Sequence, residues 1–209
     1  KRQIEVSQEK FNLTINRRWV NLVADHILKN IPDLKFGMCH GTRAGHEKKF
    51  FASRINQQMK DKTKVKVLGT EINPASKDIP NTIVWDFHKT KKEWINNLCF
   101  IYSNSLDHSY DPISCLSSWM SCIKPNGKIY LQRAPDDDPS HVTKASIYDP
   151  NVTTTVGLSV TPPADIFRSS DEALKKIVQI AGKEKWKISS NYITLPSKEF
   201  KKVVILEKI

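Results

Sequence analysis

Four sets of polar residues follow short apolar runs, and their types could do chemistry together. Phe36-Gly37-Met38-Cys39-His40 leads into Gly41-Thr42-Arg43-Ala44-Gly45, and Val65-Lys66-Val67-Leu68-Gly69 leads into Thr70-Glu71-Ile72. Thr82-Ile83-Val84-Trp85 leads into Asp86-Phe87, and Cys99-Phe100-Ile101-Tyr102-Ser103 leads into Asn104-Ser105-Leu106-Asp107-His108. Glycines in such a turn let the backbone approach a ligand, because no Cβ stands in the way. Their Gly-x-x-x-Gly spacing is neither the dinucleotide fingerprint nor a Walker loop, which counts against a dehydrogenase. An ionised Glu71 only accepts hydrogen bonds, so it suits both hydroxyls of one ribose and would repel a phosphate there. Asp86 can accept from the exocyclic amine of an adenine, with Ile72 or Phe87 against the purine face. Asp107, His108 and, further on, His141 are candidates for proton transfer, since an imidazole titrates near pH ~6.5.

These residues need elements to hold them. Val20, Leu22, Val23, His26, Ile27 and Ile31 recur at helical spacing and predict a helix over 15–30. A strand is expected over 35–40, then a helix over 46–59 whose apolar face is Phe50, Phe51, Ile55 and Met59. Strands over 65–69, 82–85 and 99–103 follow, with a short helix within 90–97 between the last two. A helix over 112–123, a turn at Pro125-Asn126-Gly127 and a strand over 128–131 come next. Residues 132–163 read as irregular, with short strands around 153–160. Ser169 or Ser170 caps a helix that reaches Ala181 and is ended by Gly182. The segments 186–194 and 201–207 close the chain as a pair of antiparallel strands. Strands alternating with helices imply a parallel sheet with right-handed crossovers. In such a sheet the ligand sits beyond the carboxyl ends of the strands, where strand order reverses. All the polar sets above fall at that end.

The chain has 209 residues, 39% of them hydrophobic, enough for one α/β domain spanning 1–209, with 1–34 as a helical lead-in and 132–168 as an acceptor-side insertion. No apolar run is long enough for a membrane span, and the mixed, charged first residues do not form a signal peptide. Cys39, Cys99, Cys115 and Cys122 form no Cys-x-x-Cys pair and read as small buried hydrophobes of a reducing, intracellular compartment, most simply the cytoplasm. No metal site is expected, and Asp136-Asp137-Asp138 reads as a solvated acidic loop. The formal charge is +11, and residues 1–66 hold fifteen Lys/Arg against six Asp/Glu. Such an excess fits RNA or another polyanion as partner, although the aromatic and glycine spacing of an RNA-recognition strand is absent.

The stretch Ile101-Tyr102-Ser103-Asn104-Ser105-Leu106-Asp107-His108-Ser109-Tyr110-Asp111-Pro112, then Trp119, then Ile123-Lys124-Pro125-Asn126-Gly127-Lys128-Ile129-Tyr130-Leu131 resembles the class I S-adenosylmethionine-dependent methyltransferases. It is similar to members that read strand, Asn/Ser, Leu-Glu-His, Asp-Pro, helix, Leu-Lys-Pro-Gly-Gly, strand. The match spans about residues 35–131. It implies a Rossmann-like fold with a mostly parallel seven-stranded sheet, helices on both faces and an antiparallel final strand. It also implies S-adenosyl-L-methionine as cofactor and a methyl acceptor that is a small molecule or RNA. By this resemblance Gly41, Thr42 and Gly45 flank the methionine portion, Glu71 holds the ribose, Ile72 and Phe87 face the adenine and Asp86 takes its amine. Asn104 lies near the sulfonium, and Asp107 and His108 line the floor beside the acceptor. The family's first motif, Asp/Glu-x-Gly-x-Gly-x-Gly, stands here as Met38-Cys39-His40-Gly41-Thr42-Arg43-Ala44-Gly45. Its acidic residue is missing, so His40 and Arg43 meet the ligand in another way or not at all. Two other readings stay open. One is a ribose 2′-O-methyltransferase using Lys10 or Arg18 with Asp107, Lys144 and Glu199, and the other is a non-catalytic nucleotide-fold module.

Overall fold

Runs of five or six mostly apolar residues build the centre of a sheet that is covered on both sides. The computed structural model describes residues 17–59, 64–133, 171–195 and 202–209. Strand β1 (Phe36–His40) runs parallel to β2 (Lys66–Glu71) on one side and to β4 (Leu98–Ser103) on the other. Strand β3 (Thr82–Val84) extends the sheet beyond β2, and β5 (Ile123–Arg133) extends it beyond β4, both parallel. The last strand, β7 (Lys202–Lys208), inserts antiparallel between β5 and β6 (Trp186–Thr194). The order is β3-β2-β1-β4-β5-β7-β6. This is the seven-stranded, mostly parallel sheet with a reversed final strand that the sequence leads one to expect.

Helices α1 (Arg17–Asn30) and α2 (His46–Gln58) cover one face, and α3 (Pro112–Cys122) and α4 (Asp171–Ala181) the other. On the first face Val20, Val23, Ile27, Phe51 and Ile55 pack with Cys39, Phe100 and Tyr102. On the second, Leu116, Trp119, Ile177 and Val178 pack with Met38, Ile101 and Ile129. Side chains alternate along a strand, so Phe100 and Tyr102 point one way and Ile101 the other. Burial on both faces explains why β4 is apolar with no polar alternation. Strand order reverses between β1 and β4, so the loops after these two strands border the crevice.

Three local expectations change. Pro125-Asn126-Gly127 lies within β5 as an outward step rather than before it: Ile123 pairs with Leu98 and Lys128 with Phe100, and Asn126 takes φ 65°. Gly127 is pressed against β4, where an added Cβ would meet the Cys99 carbonyl oxygen at 2.7 Å. The helix expected within 90–97 is a single 3-10 turn, Lys92–Trp94. Helix α4 does end at Ala181, but the left-handed residues are Lys183 (φ 49°) and Glu184 (φ 61°). Gly182 instead admits Trp186, whose Cβ would lie 2.6 Å from an added Cβ.

All four cysteines are free and buried. No described helix is long and apolar enough to cross a membrane, and the described residues hold no cluster of metal-ligating side chains. The acidic run 136–138, the strands around 153–160, the cap at Ser169 or Ser170, and Lys10, His141, Lys144 and Glu199 lie outside the described residues.

Candidate functional site

The turn after β1 is built by two glycines in the left-handed region, Gly41 at φ 69° and Gly45 at φ 73°. Few other residues accept these angles without strain. The backbone N–H groups of Gly41 and Thr42 both donate to the Thr70 carbonyl at the end of β2, at 3.0 and 3.1 Å. The Gly45 N–H closes the turn onto the Thr42 carbonyl at 2.6 Å, and α2 starts immediately afterwards. Space at Gly41 is taken by Ser105, since a Cβ there would meet Ser105 Oγ at 2.5 Å. Ser105 in turn donates toward the Gly41 carbonyl (3.3 Å) and toward Asn104 Oδ1 (3.0 Å). The loops after β1, β2 and β4 are thus bound to one another.

Glu71, at the tip of β2, is a hub of the same frame. Its Oε2 accepts from the Arg43 N–H at 2.7 Å and its Oε1 from the Asn73 N–H at 3.1 Å. Arg43 therefore takes part through its backbone, at φ 44°. Ile72 follows with its side chain 60% exposed, an apolar surface left uncovered next to that carboxylate.

Asp86 stands after β3 in a network that its sequence neighbourhood only half reveals. Its Oδ1 accepts from the His88 backbone N–H (3.0 Å) and from His88 Nδ1 (2.7 Å), and its Oδ2 from the Tyr110 hydroxyl (3.2 Å). The far nitrogen of His88 lies 2.8 Å from Ser109 Oγ, and its ring stacks on Tyr110 with centroids 3.7 Å apart. Burial would push the Asp86 carboxyl up, but the His88 hydrogen bonds and charge outweigh it and the acid is held below its ordinary range. The Phe87 ring stacks on His88 at 4.8 Å and lies edge-on to Trp119 and tilted to His40, while its carbonyl accepts from Trp119 Nε1 at 2.7 Å.

His40 is turned into the core. Its Nδ1 lies 2.7 Å from Thr70 Oγ1 and its ring stacks on Trp119 at 4.8 Å. Burial alone depresses its pKa to about 3, so it stays neutral across ordinary pH. Only its backbone borders the loop. Thr42 is also buried, and its Oγ1 has no partner among the described residues.

The side chain that sequence reading passed over is Glu47, in the first turn of α2. It is 7% exposed, and its carboxylate accepts from its own backbone N–H and faces Asn104 Nδ2, 3.5 Å from Oε1. Burial raises its carboxyl to about 7. The available signal was its place directly behind the Gly41–Gly45 turn. Asp107 and His108 occupy a 3-10 turn, Leu106–His108, after β4, with Oδ1 and Nε2 4.0 Å apart. Both are partly exposed, with side chains at 38% and 23%.

Solved methyltransferases have this arrangement. An S-adenosylmethionine-dependent methyltransferase from Clostridium acetobutylicum superposes with a TM-score of 0.62 at 9% identity, covering 100% of this chain and 98% of that one. The chain has the methyltransferase fold. The same fold relates it to the 1,6-didemethyltoxoflavin-N1-methyltransferase of Burkholderia thailandensis, solved with 1,6-didemethyltoxoflavin and S-adenosylhomocysteine bound. There the TM-score is 0.57 at 9% identity over 92% of this chain and 77% of that one. A methyltransferase from Aquifex aeolicus gives 0.54 at 14% identity, covering 94% and 99%. No protein-family model and no curated protein matches the sequence.

In this methyltransferase fold, the loops carrying Gly41, Glu71, Asp86 and Asn104 all leave the carboxyl end of the parallel strands. Hydrogen bonds join the first, second and fourth of them directly. Asp86 is joined to the loop after β4 through Tyr110 and His88.

Proposed function

We propose that this chain is an S-adenosylmethionine-dependent methyltransferase. The observation that carries the reading is the hydrogen-bonded convergence of the strand-end loops around Gly41, Glu71 and Asn104 at the switch point of a methyltransferase fold. The donor set fits the cofactor. Glu71, with each oxygen already holding one backbone N–H, offers its remaining lone pairs to a ribose, Ile72 an uncovered apolar face to the adenine, and the turn from Gly41 to Gly45 a backbone without Cβ atoms at its two bends. Asp86 reaches the adenine amine only by sharing or giving up the Tyr110 hydroxyl.

When bound, S-adenosylmethionine supplies a methyl group on a sulfonium, which leaves without further activation. The chain's own residues then have to hold the two reactants in line and keep water out. Asp107 and His108 stand beside Asn104 and would take the acceptor's proton where the acceptor must lose one. His141 remains a candidate for the same task.

Calorimetric titration with S-adenosylmethionine tests the reading. The unmodified protein should bind, and Glu71→Ala and Asp86→Ala should each weaken binding by about tenfold or more. No binding by the unmodified protein would end it, and labelled methyl transfer to any acceptor pool would exclude a non-catalytic module. The acceptor is a small molecule or RNA, and the +11 charge motivates the RNA option. RNA retention that falls steeply with salt would favour RNA, and retention indifferent to salt would favour the small molecule.

A further inference from the structure

We infer that the end of the sheet opposite the crevice is a docking surface for the phosphate backbone of single-stranded RNA, an inference that does not depend on the cofactor reading. Five segments meet at the amino ends of the parallel strands: 29–35, 64–66, 121–128, 183–187 and 207–209. Hydrogen bonds tie them together. The Lys66 N–H donates to the Lys35 carbonyl at 2.9 Å, and the Lys124 ammonium to the Asp33 carbonyl at 2.8 Å. The Lys208 ammonium donates to the Ile123 carbonyl at 3.2 Å, and the Ile209 N–H to the Lys185 carbonyl at 3.0 Å. These segments hold ten lysines against three acids, Asp33, Glu184 and Glu207, which is +7 of the chain's +11. The crevice loops, 41–47, 71–73, 86–88 and 104–111, hold Arg43 against five acids.

Helix ends account for only part of this excess. Helices α1, α2, α3 and α4 all finish at this end, at Asn30, Gln58, Cys122 and Ala181. Each C-terminus carries roughly half a negative charge, so about two lysines would offset all four. Ion pairs take little more. Among the described residues, those of this end are Lys128 and Lys187, at 2.6 and 3.7 Å from the one carboxylate of Glu207. The remaining contacts leave the charge in place: Lys124 and Lys208 donate to neutral carbonyls, and Lys66 lies over the Phe36 ring at 5.4 Å. What is left over is enough to hold a polyanion.

The layout of the charge selects the partner. Lysines follow the strand order, from Lys64 before β2 through Lys35 before β1 and Lys124 on β5 to Lys185 before β6. Six strands spaced about 4.8 Å apart make this a row of about 24 Å. A row of that length meets several successive phosphates, whereas a small anion would fill only a part of it. Adjacent strands rotate by about 20–25°, so the row winds as it crosses the sheet. A flexible single strand follows such a path and a stiff duplex does not; single strands in cells are mostly RNA. Every basic residue of the row is a lysine, which meets a phosphate as a point charge and lacks the arginine fork that reads base edges. The contact is therefore to backbone, without sequence preference. An anionic bilayer would also take up apolar side chains, and the exposed large ones here, among the described residues, are Ile95 and Ile209.

The experiment titrates a fluorescein-labelled single-stranded RNA of mixed sequence, about 20 nucleotides long, by anisotropy between about 50 and 200 mM salt. One variant combines Lys35→Gln, Lys64→Gln, Lys183→Gln and Lys185→Gln, all at exposed side chains. A control removes the same charge elsewhere, with Lys49→Gln, Lys77→Gln, Lys89→Gln and Lys176→Gln, also exposed. The first variant should bind about tenfold to a hundredfold more weakly at low salt. Its slope of log affinity against log salt should shrink by about two to three, since each phosphate contact on a single strand contributes about 0.7. The control should stay within about threefold, with its slope unchanged. Failure of the unmodified protein to bind the RNA, or equal losses in the two variants, would overturn the inference. Unchanged binding by the first variant would overturn it too and place the RNA at the crevice. Tighter binding of duplex DNA, or of anionic phospholipid vesicles, than of the RNA would assign the face to that partner instead. Titration with S-adenosylmethionine, which these lysines do not touch, judges the cofactor reading separately.

Discussion

The two ends of the crevice are built on opposite principles. On the side of β2 and β3, every carboxylate oxygen is matched before any ligand arrives. Glu71 accepts from two backbone N–H groups, and Asp86 from His88 and Tyr110. On the side of β1 and β4, the buried Glu47 carboxylate has its own backbone N–H and a long contact to Asn104, and the buried Thr42 hydroxyl has no partner among the described residues. The first end is a frame whose two carboxylates, Glu71 and Asp86, are already hydrogen-bonded. The second carries unmet polar groups out of water, a cost that a ligand with matching donors relieves.

The contrast can be broken most severely at the element both ends share. Gly41→Ala would place a Cβ 2.5 Å from Ser105 Oγ at a φ of 69°. It should destabilise the protein by about 2–4 kcal/mol through left-handed strain and the clash, measured by urea denaturation. A loss below about 1 kcal/mol would mean that the turn yields and the two ends are not locked together.

Next in size is the pH response of Glu47. Its carboxyl lies at about 7 when folded, against an ordinary value of 4.5. Between these values the folded protein holds a proton that the unfolded chain has released, so this group's contribution to stability falls as pH rises from 4.5 through 7. His40 acts in the opposite sense. Its folded value near 3 against 6.5 means that the unfolded chain takes a proton first, so stability is lost as pH falls from 6.5. The two slopes oppose each other between pH 4.5 and 6.5. Glu47→Gln should therefore gain on the unmodified protein, by up to about 3 kcal/mol, as pH is raised from 4.5 to 8 in urea titrations. A difference that stays constant with pH would show that the carboxyl is not held out of water.

Smaller effects are expected at the satisfied end. Asp86→Asn exchanges a charge-assisted bond to His88, itself only 7% exposed, for a neutral one and should cost about 1–2 kcal/mol by thermal denaturation. Tyr110→Phe removes a single bond from an exposed hydroxyl and should cost less than about 1 kcal/mol. It should also leave cofactor affinity within about fivefold. A larger loss of affinity would make Tyr110 a ligand contact rather than a brace for Asp86.

Patterns confined to neighbouring residues are what the sequence reveals. The apolar runs mark β1, β2 and β4 within a residue or two, because a strand covered on both faces must be apolar throughout. The polar groups that end those runs, Gly41, Glu71, Asp86 and Asn104, are visible for the same reason. Local signals also mislead. Pro125-Asn126-Gly127 has turn chemistry yet forms part of β5, and Gly182 has the look of a helix cap yet serves to admit Trp186.

By itself, then, the sequence determines a parallel α/β sheet and the end of it at which polar groups collect. It cannot show that β7 enters between β5 and β6, since that depends on pairing across more than 70 positions, Lys128 with Glu207 for example. Nor can it show the state of a side chain whose surroundings come from distant segments. An acid in the first turn of a helix ordinarily lies in water and complements the helix dipole. Glu47 is buried because α2 docks against β1 and β4, and His88 reaches Ser109 because the loops after β3 and β4 lie side by side. Burial and hydrogen-bond partnership belong to the assembled surroundings of a residue, so only the tertiary structure decides which carboxylates of this crevice are braced by neighbouring loops and which one is taken out of water.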